Sequence, residues 1–278
     1  MRTHRVKTLE LDLSRLMPEV ENALRFPYSE AYSDYLCGGP WKSCMLWTTD
    51  GRQGDGYIAN YGPQARGSKT PYADRMPYLW GLVEQTFDLA HLSFARLAVI
   101  SNSVIIPHKD LLELGKLLNR AHVPLVTNDR CFFSEGDVVY RMKPGEVWFF
   151  DAARMHSAAS FSEAKRMHLV LDFADVPHPE RFVKEAPAVA PVIPEDSIVR
   201  RSSASAELRA QLAALARVID ASNYRDVFSI VIRKHYEFDG GENFVWETML
   251  QIAAESRNAE VQRRIGDMYT YFIEKRAA

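Results

Sequence analysis

Four short apolar runs, each bounded by turn residues, constrain the fold of this chain more than any other feature. They are LAVIS at 97–101, SVIIP at 103–107, GEVWFFD at 145–151 and MHLVLDF at 167–173. Each reads as a buried or half-buried strand. Lys143-Pro144-Gly145 is a turn signal that introduces the third run. Strands of this length with irregular connections predict a mainly β region over residues 1–176, built as a sandwich or jelly-roll barrel. Two helical interruptions are expected, at 77–87 and 109–120, the second weakened by Gly115. At 278 residues, 47% hydrophobic and 25% charged, the chain can bury one large domain with an appendage, or two domains.

The character changes after Val176. Pro177, Pro179, Pro187, Pro191 and Pro194 crowd the stretch 177–204. Proline removes backbone donors and disfavours helix in the residue before it, so this is a linker, or a strap lying over the first domain. Residues 205–278 then read as a small helical domain. Leu208, Leu212, Leu215 and Ile219 recur at helical spacing behind Ser205, a plausible N-cap. No apolar run reaches the roughly 18 residues a membrane span needs, and the N-terminus lacks the apolar core of a secretory signal. The net charge of -2 gives no general attraction to nucleic acid or to an anionic membrane. Cys37, Cys44 and Cys131 are an odd set without zinc-type spacing, and a reducing cytoplasm is the expected setting. The C-terminal helices could serve pocket closure or pair two copies as a homodimer.

The chemistry concentrates in two segments, IIPHKD at 105–110 and MHSAASFSEAKRMH at 155–168. His108 and Asp110 are two residues apart, so on a strand both side chains leave the same face. His156 follows 46 residues after Asp110, just beyond the strand-like GEVWFFD. Two histidines and one carboxylate suit one triangular face of an octahedral iron(II), leaving three positions open. A 2-oxo acid can chelate two of these and dioxygen can take the third. Such a co-substrate needs a cation for its distal carboxylate. Arg166, ten residues beyond His156 on the next predicted strand, has the rigid fork to hold both oxygens. A lone His-x-Asp is common by chance and usually structural. The joint pattern, in the most strand-rich part of the chain, is much less accidental.

HKDLLEL, PGEVWFFDAARMHSAASFS and the Arg166-Met167-His168 end resemble the bacterial free-proline hydroxylases. These are the proline 3-hydroxylases and cis-4-hydroxylases, allied to the aspartyl/asparaginyl β-hydroxylases. The similarity extends to YSDYLCGGPWKSCML at 32–46, MPYL at 76–79 and NYRDVFSIVIRKHYEFDGGENFVWE at 223–247, and so covers nearly the whole chain. The resemblance implies a double-stranded β-helix core with a small C-terminal helical domain. It also implies iron(II), 2-oxoglutarate, dioxygen and a free amino acid as prime substrate. By matching position it makes His108, Asp110 and His156 the metal ligands and Arg166 the 2-oxoglutarate clamp. Arg120 and His122 match an R-x-H element that lines the site, His122 on the co-substrate side. Arg96 matches an arginine near the substrate pocket, and Trp41 lies in a segment resembling the substrate-facing N-terminal part. A buried substrate carboxylate needs a paired cation, for which Arg96 and Arg120 are the candidates. One departure is Pro124, which follows Arg120-Ala-His122-Val and predicts an edge, a bulge or a reshaped pocket wall. His168 is expected to pack rather than to act.

The implied activity is hydroxylation of L-proline or L-pipecolate with release of succinate and carbon dioxide. One rival is an oxygenase acting on another free, peptide-linked or carrier-bound amino acid. Another is a jelly-roll module that binds a small acid without catalysis. Halogenation normally requires loss of the carboxylate ligand, and Asp110 is present.

Overall fold

The computed structural model describes residues 2–30, 32–58, 67–110, 119–174, 176, 178 and 181–274. In chain order its strands begin with β1 (His4–Thr8), β2 (Leu36–Cys37), β3 (Trp41–Thr48) and β4 (Ser68–Lys69). They continue with β5 (Leu92–Ile100), β6 (Ser103–Ile105), β7 (Asn119–Val126) and β8 (Cys131–Glu135). Next come β9 (Val138–Tyr140), β10 (Glu146–Phe150), β11 (His156–Ser160) and β12 (Arg166–Phe173), and two short strands, β13 (Ser202–Ser203) and β14 (Phe238–Asp239), pair later in the chain. A seven-stranded sheet runs β1-β10-β7-β12-β5-β3-β4, and a five-stranded sheet runs β2-β6-β11-β8-β9. All pairings within both sheets are antiparallel. The architecture is mixed α/β, dominated by antiparallel sheet.

Side chains alternate across a strand, and the large sheet uses that period to separate two environments. Met167, Leu169, Leu171 and Phe173 of β12 share one apolar cluster with Ala121, Val123 and Leu125 of β7 and with Ala95, Leu97 and Val99 of β5. Helices α1 (Leu13–Ala23) and α2 (Pro77–Thr86) cover this face with Leu16, Val20, Leu79, Trp80 and Val83. The other face of the same strands carries Arg166, His168, Val170, Arg120, His122 and Arg96, which line a cavity. Ile105, Phe133, His156 and Ala158 of the five-stranded sheet close it from the opposite side. The pocket therefore lies between the two sheets.

Helices α3 (Ala206–Ala213), α4 (Tyr224–Glu237), α5 (Phe244–Glu255) and α6 (Ala259–Tyr269) follow. Ser205 caps α3, its hydroxyl accepting from the Leu208 amide at 3.1 Å. Phe228, Trp246, Met249, Ile252 and Phe272 share a continuous apolar cluster with Tyr35, Ile105, Phe133 and Tyr140 of the small-sheet region. Two hydrogen bonds reach from this helical part to the residues flanking His108. The Trp246 indole donates to the Pro107 carbonyl at 2.9 Å, and the Lys109 amide donates to the Phe272 carbonyl at 3.2 Å. The proline-rich stretch is strapped down where it is described. Phe182 stacks on Phe173 (4.2 Å, 7°), and Val199 donates its amide to Val139 at 2.8 Å.

One local expectation needs correction, and the alternatives at Pro124 narrow to one. Of the helix expected at 109–120, residues 111–118 lie outside the described residues, and Asn119 and Arg120 open β7 instead. Arg120 sits opposite Phe150 on one side and Asp172 on the other, so tertiary pairing overrides local helical pattern there. Pro124 is not on an edge, because β7 lies between β10 and β12. The chain accommodates it with a bulge. Met167 pairs with Val126 and His168 with Pro124, leaving Leu125 as the extra residue, and the β10 ladder stops at His122. Gly145 has φ +80 in the turn before β10, where an added Cβ would meet the Leu9 carbonyl at 2.6 Å. The Lys143-Pro144-Gly145 turn thus depends on glycine. No helix among the described residues is long and apolar enough to cross a membrane.

Replacing Trp246 with Phe keeps most of the buried ring and strands the Pro107 carbonyl. A lost partner for a buried polar group costs about 1–3 kcal/mol. Chemical denaturation should show a destabilisation of that order. An unchanged midpoint would mean that the bond contributes nothing net.

Candidate active site

Two chain segments far apart in sequence meet at His108 and His156. Each donates its amide to the other's carbonyl, at 2.9 and 2.8 Å, outside any longer ladder. The reciprocal pair sets the rings 4.3 Å apart, centroid to centroid. Each ring is then turned by its own backbone. His108 Nδ1 lies 2.7 Å from the Ile106 carbonyl, and His156 Nδ1 lies 2.8 Å from the Arg154 carbonyl. A carbonyl only accepts, so both Nδ1 atoms carry the proton and both Nε2 atoms keep a free lone pair. Those lone pairs face Asp110, whose Oδ1 is 3.2 Å from His108 Nε2 and 3.7 Å from His156 Nε2. Asp110 is anchored by its own amide, which donates to the Ala152 carbonyl at 2.8 Å.

The ligand atoms of His108, Asp110 and His156 all lie within 4.8 Å of one another. Their protonation suits a cation. Burial, aided by neighbouring His108, pushes His156 down to about 3, so its imidazole is neutral at physiological pH. Burial works against ionisation of Asp110. The charge of Arg120 outweighs it and holds the carboxyl well below the usual range. Two imidazoles offering Nε2 and one carboxylate, on one side of a cavity, match a facial donor set for iron(II).

Arg166 is buried and has no carboxylate within ion-pair distance among the described residues. Its Nε donates to His168 Nε2 at 3.0 Å, and its guanidinium lies over the Phe133 ring at 4.3 Å. Burial lowers it to about 10, yet it stays cationic at neutral pH. Burying a cation without an anionic partner is costly, so the pocket is built to receive an anion at this end. His168 therefore does more than pack. It points into the cavity, and burial, then the charge of Arg166, keeps it well below its usual pKa and able to accept. Burial and the nearby Arg120, Arg166 and Arg96 depress His122 in the same way, and its Nδ1 has no hydrogen-bond partner.

The cavity holds about 570 Å³ of empty space. Its walls bring together all eight residues singled out from the sequence, namely His108, Asp110, His156, Arg166, His122, Arg96, Arg120 and Trp41. Trp41 is half-buried and stacks on Tyr32 at 5.1 Å. The sequence reading missed Asp172. It is fully buried and accepts from Arg120 Nε at 2.7 Å, while Arg120 also pairs with Asp110. The signal was present: Arg166, His168, Val170 and Asp172 alternate, so all four leave β12 on one face.

His122, His156 and His168 are held neutral in the fold, whereas an unfolded histidine titrates near the ordinary 6.5. The unfolded chain binds more protons below that value, so stability falls as pH drops through 6.5 and is indifferent above it on this account. Denaturant midpoints of the metal-free protein should be flat from pH 8 to about 7 and decline steadily toward pH 5. A flat profile would show that these histidines take up protons while folded.

Residues 3–176 match the family model described as aspartyl/asparaginyl beta-hydroxylase, and residues 179–278 match the one described as L-proline 3-hydroxylase, C-terminal. L-proline cis-3-hydroxylase 2 of Streptomyces sp is 31% identical, with 100% of this chain and 97% of the relative covered. L-proline cis-4-hydroxylase of Rhizobium meliloti (strain 1021) is 30% identical, with 99% and 97% covered. Among solved structures, a 2OG-Fe(II) oxygenase family oxidoreductase from Burkholderia pseudomallei aligns with a TM-score of 0.40 at 13% identity, over 59% of this chain and 79% of that one. The chain belongs to the aspartyl/asparaginyl β-hydroxylase family, in the branch that carries the L-proline 3-hydroxylase C-terminal domain.

Proposed function

We propose that this protein is an iron(II)- and 2-oxoglutarate-dependent hydroxylase of a free cyclic amino acid, L-proline or its six-membered homologue L-pipecolate. The observation that carries the reading is the pairing, in one cavity, of the His108–Asp110–His156 cluster with Arg166, a buried cation lacking an acidic partner among the described residues. His108 and His156 would offer Nε2 and Asp110 a carboxylate oxygen to the metal. Arg166, steadied by His168 and Phe133, would grip the distal carboxylate of 2-oxoglutarate, with His122 beside it. Iron(II) with 2-oxoglutarate, when bound, supplies the oxygen-activating chemistry that hydroxylates a C–H bond while 2-oxoglutarate is converted to succinate and carbon dioxide.

The protein's own task is placement. Arg96 and Arg120 would hold the substrate carboxylate, and Trp41, Ile100 and Val170 would wall the ring. Two fixed charges at one end and an apolar wall along the side determine which ring carbon faces the metal, and displacements of about an ångström matter at that level. The finer architecture is also our reading. It comprises a double-stranded β-helix core over 1–176, a strap over 177–204 and a helical domain over 205–278. Support comes from two antiparallel sheets enclosing the site and from the docked contacts of Phe182 and Val199. A cytoplasmic setting is supported by Cys37, Cys44 and Cys131, all buried and free.

Protein purified without oxygen, then given iron(II), 2-oxoglutarate and air, should release succinate with L-proline or L-pipecolate and form a product heavier by one oxygen atom. Asp110→Ala should abolish both and weaken metal binding. No turnover across a panel of free amino acids, with iron bound, would move the substrate to a larger or tethered residue. Arg166→Ala should raise the 2-oxoglutarate KM by about a hundredfold, which corresponds to about 3 kcal/mol for a buried charge contact. An unchanged KM would remove Arg166 from the co-substrate site.

A further inference from the structure

The pocket end away from Arg166 is organised around a carboxylate that the assignments above leave without a role. Asp172 is 0% exposed and sits at the far end of the inward face of β12. Cross-strand register puts it directly opposite Arg120 of β7, and Arg96 of β5 pairs with Val170, one inward position away. The contacts follow that register. Oδ1 accepts from Arg120 Nε at 2.7 Å, and Oδ2 lies 3.7 Å from Arg96 Nη2. Arg120 reaches past it with Nη1 to Asp110, the carboxylate of the metal cluster. One buried carboxylate therefore touches both arginines of the substrate end, and one of those arginines touches a metal-cluster residue.

Ion pairing and hydrogen bonding are both incomplete here. Arg120 is shared between Asp172 and Asp110, whereas the ion-pair contact of Arg96 is the longer one to Asp172. Arg96 Nη1 and Asp172 Oδ2 are buried without a hydrogen-bond partner. A buried donor left unmade costs about 1–3 kcal/mol, and a buried charge costs more. A structure held in this state is poised for an incoming anion at Arg96. Two long arginine side chains keep one geometry while waiting only if something anchors them, since each has about 2 kcal/mol of rotamer freedom to recover. Asp172 is placed to be that anchor.

We infer that Asp172 is a positioning residue that fixes Arg96 and Arg120 as a two-armed receptor for the carboxylate of a free amino acid, and that keeps Arg120 from turning wholly onto Asp110. The inference rests on the function proposed above and sharpens its substrate class. A receptor in which the buried Arg96 Nη1 is left without an acceptor selects a free acid over its amide or a peptide-linked residue. Asp172 itself does not line the cavity and acts through the arginines.

The test is anaerobic calorimetric titration of L-proline, L-pipecolate and their amides onto protein loaded with iron(II) and 2-oxoglutarate, for the wild type, Asp172→Asn and Asp172→Ala. The amides should bind the wild type at least about tenfold more weakly than the acids. Asp172→Ala should weaken acid binding by about tenfold or more, and Asp172→Asn by about threefold, because the amide retains an acceptor for Arg120 Nε. The dissociation constants of 2-oxoglutarate and iron(II) should stay within about twofold in both variants. If Asp172→Ala does not fold, the near-isosteric Asn variant carries the test. Unchanged acid affinity in a folded variant would overturn the inference, as would equal weakening of acid, co-substrate and metal, which marks a merely structural role. A wild type that binds neither amino acid would instead overturn the proposed substrate.

Discussion

Strand β12 lies at the centre of the large sheet, hydrogen-bonded to β5 along one edge and to β7 along the other. Its alternation does two jobs at once. The odd-numbered residues from Met167 to Phe173 anchor the apolar layer beneath α1 and α2, and Arg166, His168 and Val170 furnish the pocket floor, with Asp172 buried beyond them on the same face. Because the period is two, a slip of one residue would put four apolar side chains into the pocket and two charges into the core. The same burial that stabilises the sheet therefore fixes the register of the charged face. Arg166 and Asp172 end up at opposite ends of one strand, about six residues of rise apart, and the pocket inherits that polarity.

The metal cluster depends on a different constraint. His108 and His156 belong to no shared ladder, yet their backbones exchange two hydrogen bonds. Carbonyls two residues earlier, at Ile106 and Arg154, then orient the rings. The second of these is held by a further ion pair, because Arg154 Nε lies 3.0 Å from Glu135 on β8, which itself pairs with His156. Arg2 shares the same buried carboxylate at 3.1 Å, so the start of the chain supports the loop that turns His156. The helices after the strap act in a similar way on the other side, through Trp246 and Phe272, at the residues flanking His108. Groups that never touch the cavity thus set the direction of the lone pairs inside it.

Electrostatically, the pocket has excess positive charge awaiting anions. Arg166 has no acid of its own among the described residues, and Arg96 contacts only an Asp172 that it shares with Arg120, which also pairs with Asp110. Three histidines deprived of their protons by burial add acceptors and ligands without adding charge. A pocket of this kind discriminates by where a ligand carries its carboxylates, because each unmatched guanidinium is costly to leave unmet.

The strand runs at 97–101, 145–151 and 167–173, the cap at Ser205 and the glycine turn before β10 were legible in the sequence. Each is written in neighbouring residues, as apolar alternation, a capping hydroxyl or a tolerance for positive φ. So was the His108, Asp110, His156 and Arg166 set, because its members are chemically rare and sit on or beside those runs. The start of β7 was not legible, since Arg120 becomes a strand residue through partners about 30 and 50 positions away in β10 and β12. Asp172 was passed over for a related reason: a lone aspartate in MHLVLDF looks like a strand end until β5 and β7 bring two arginines to it. By itself the sequence determined the periodicities, the residue types and the family. Tertiary structure alone decided which charges became neighbours, because pairing across a sheet is set by register between distant segments and local sequence does not carry that information.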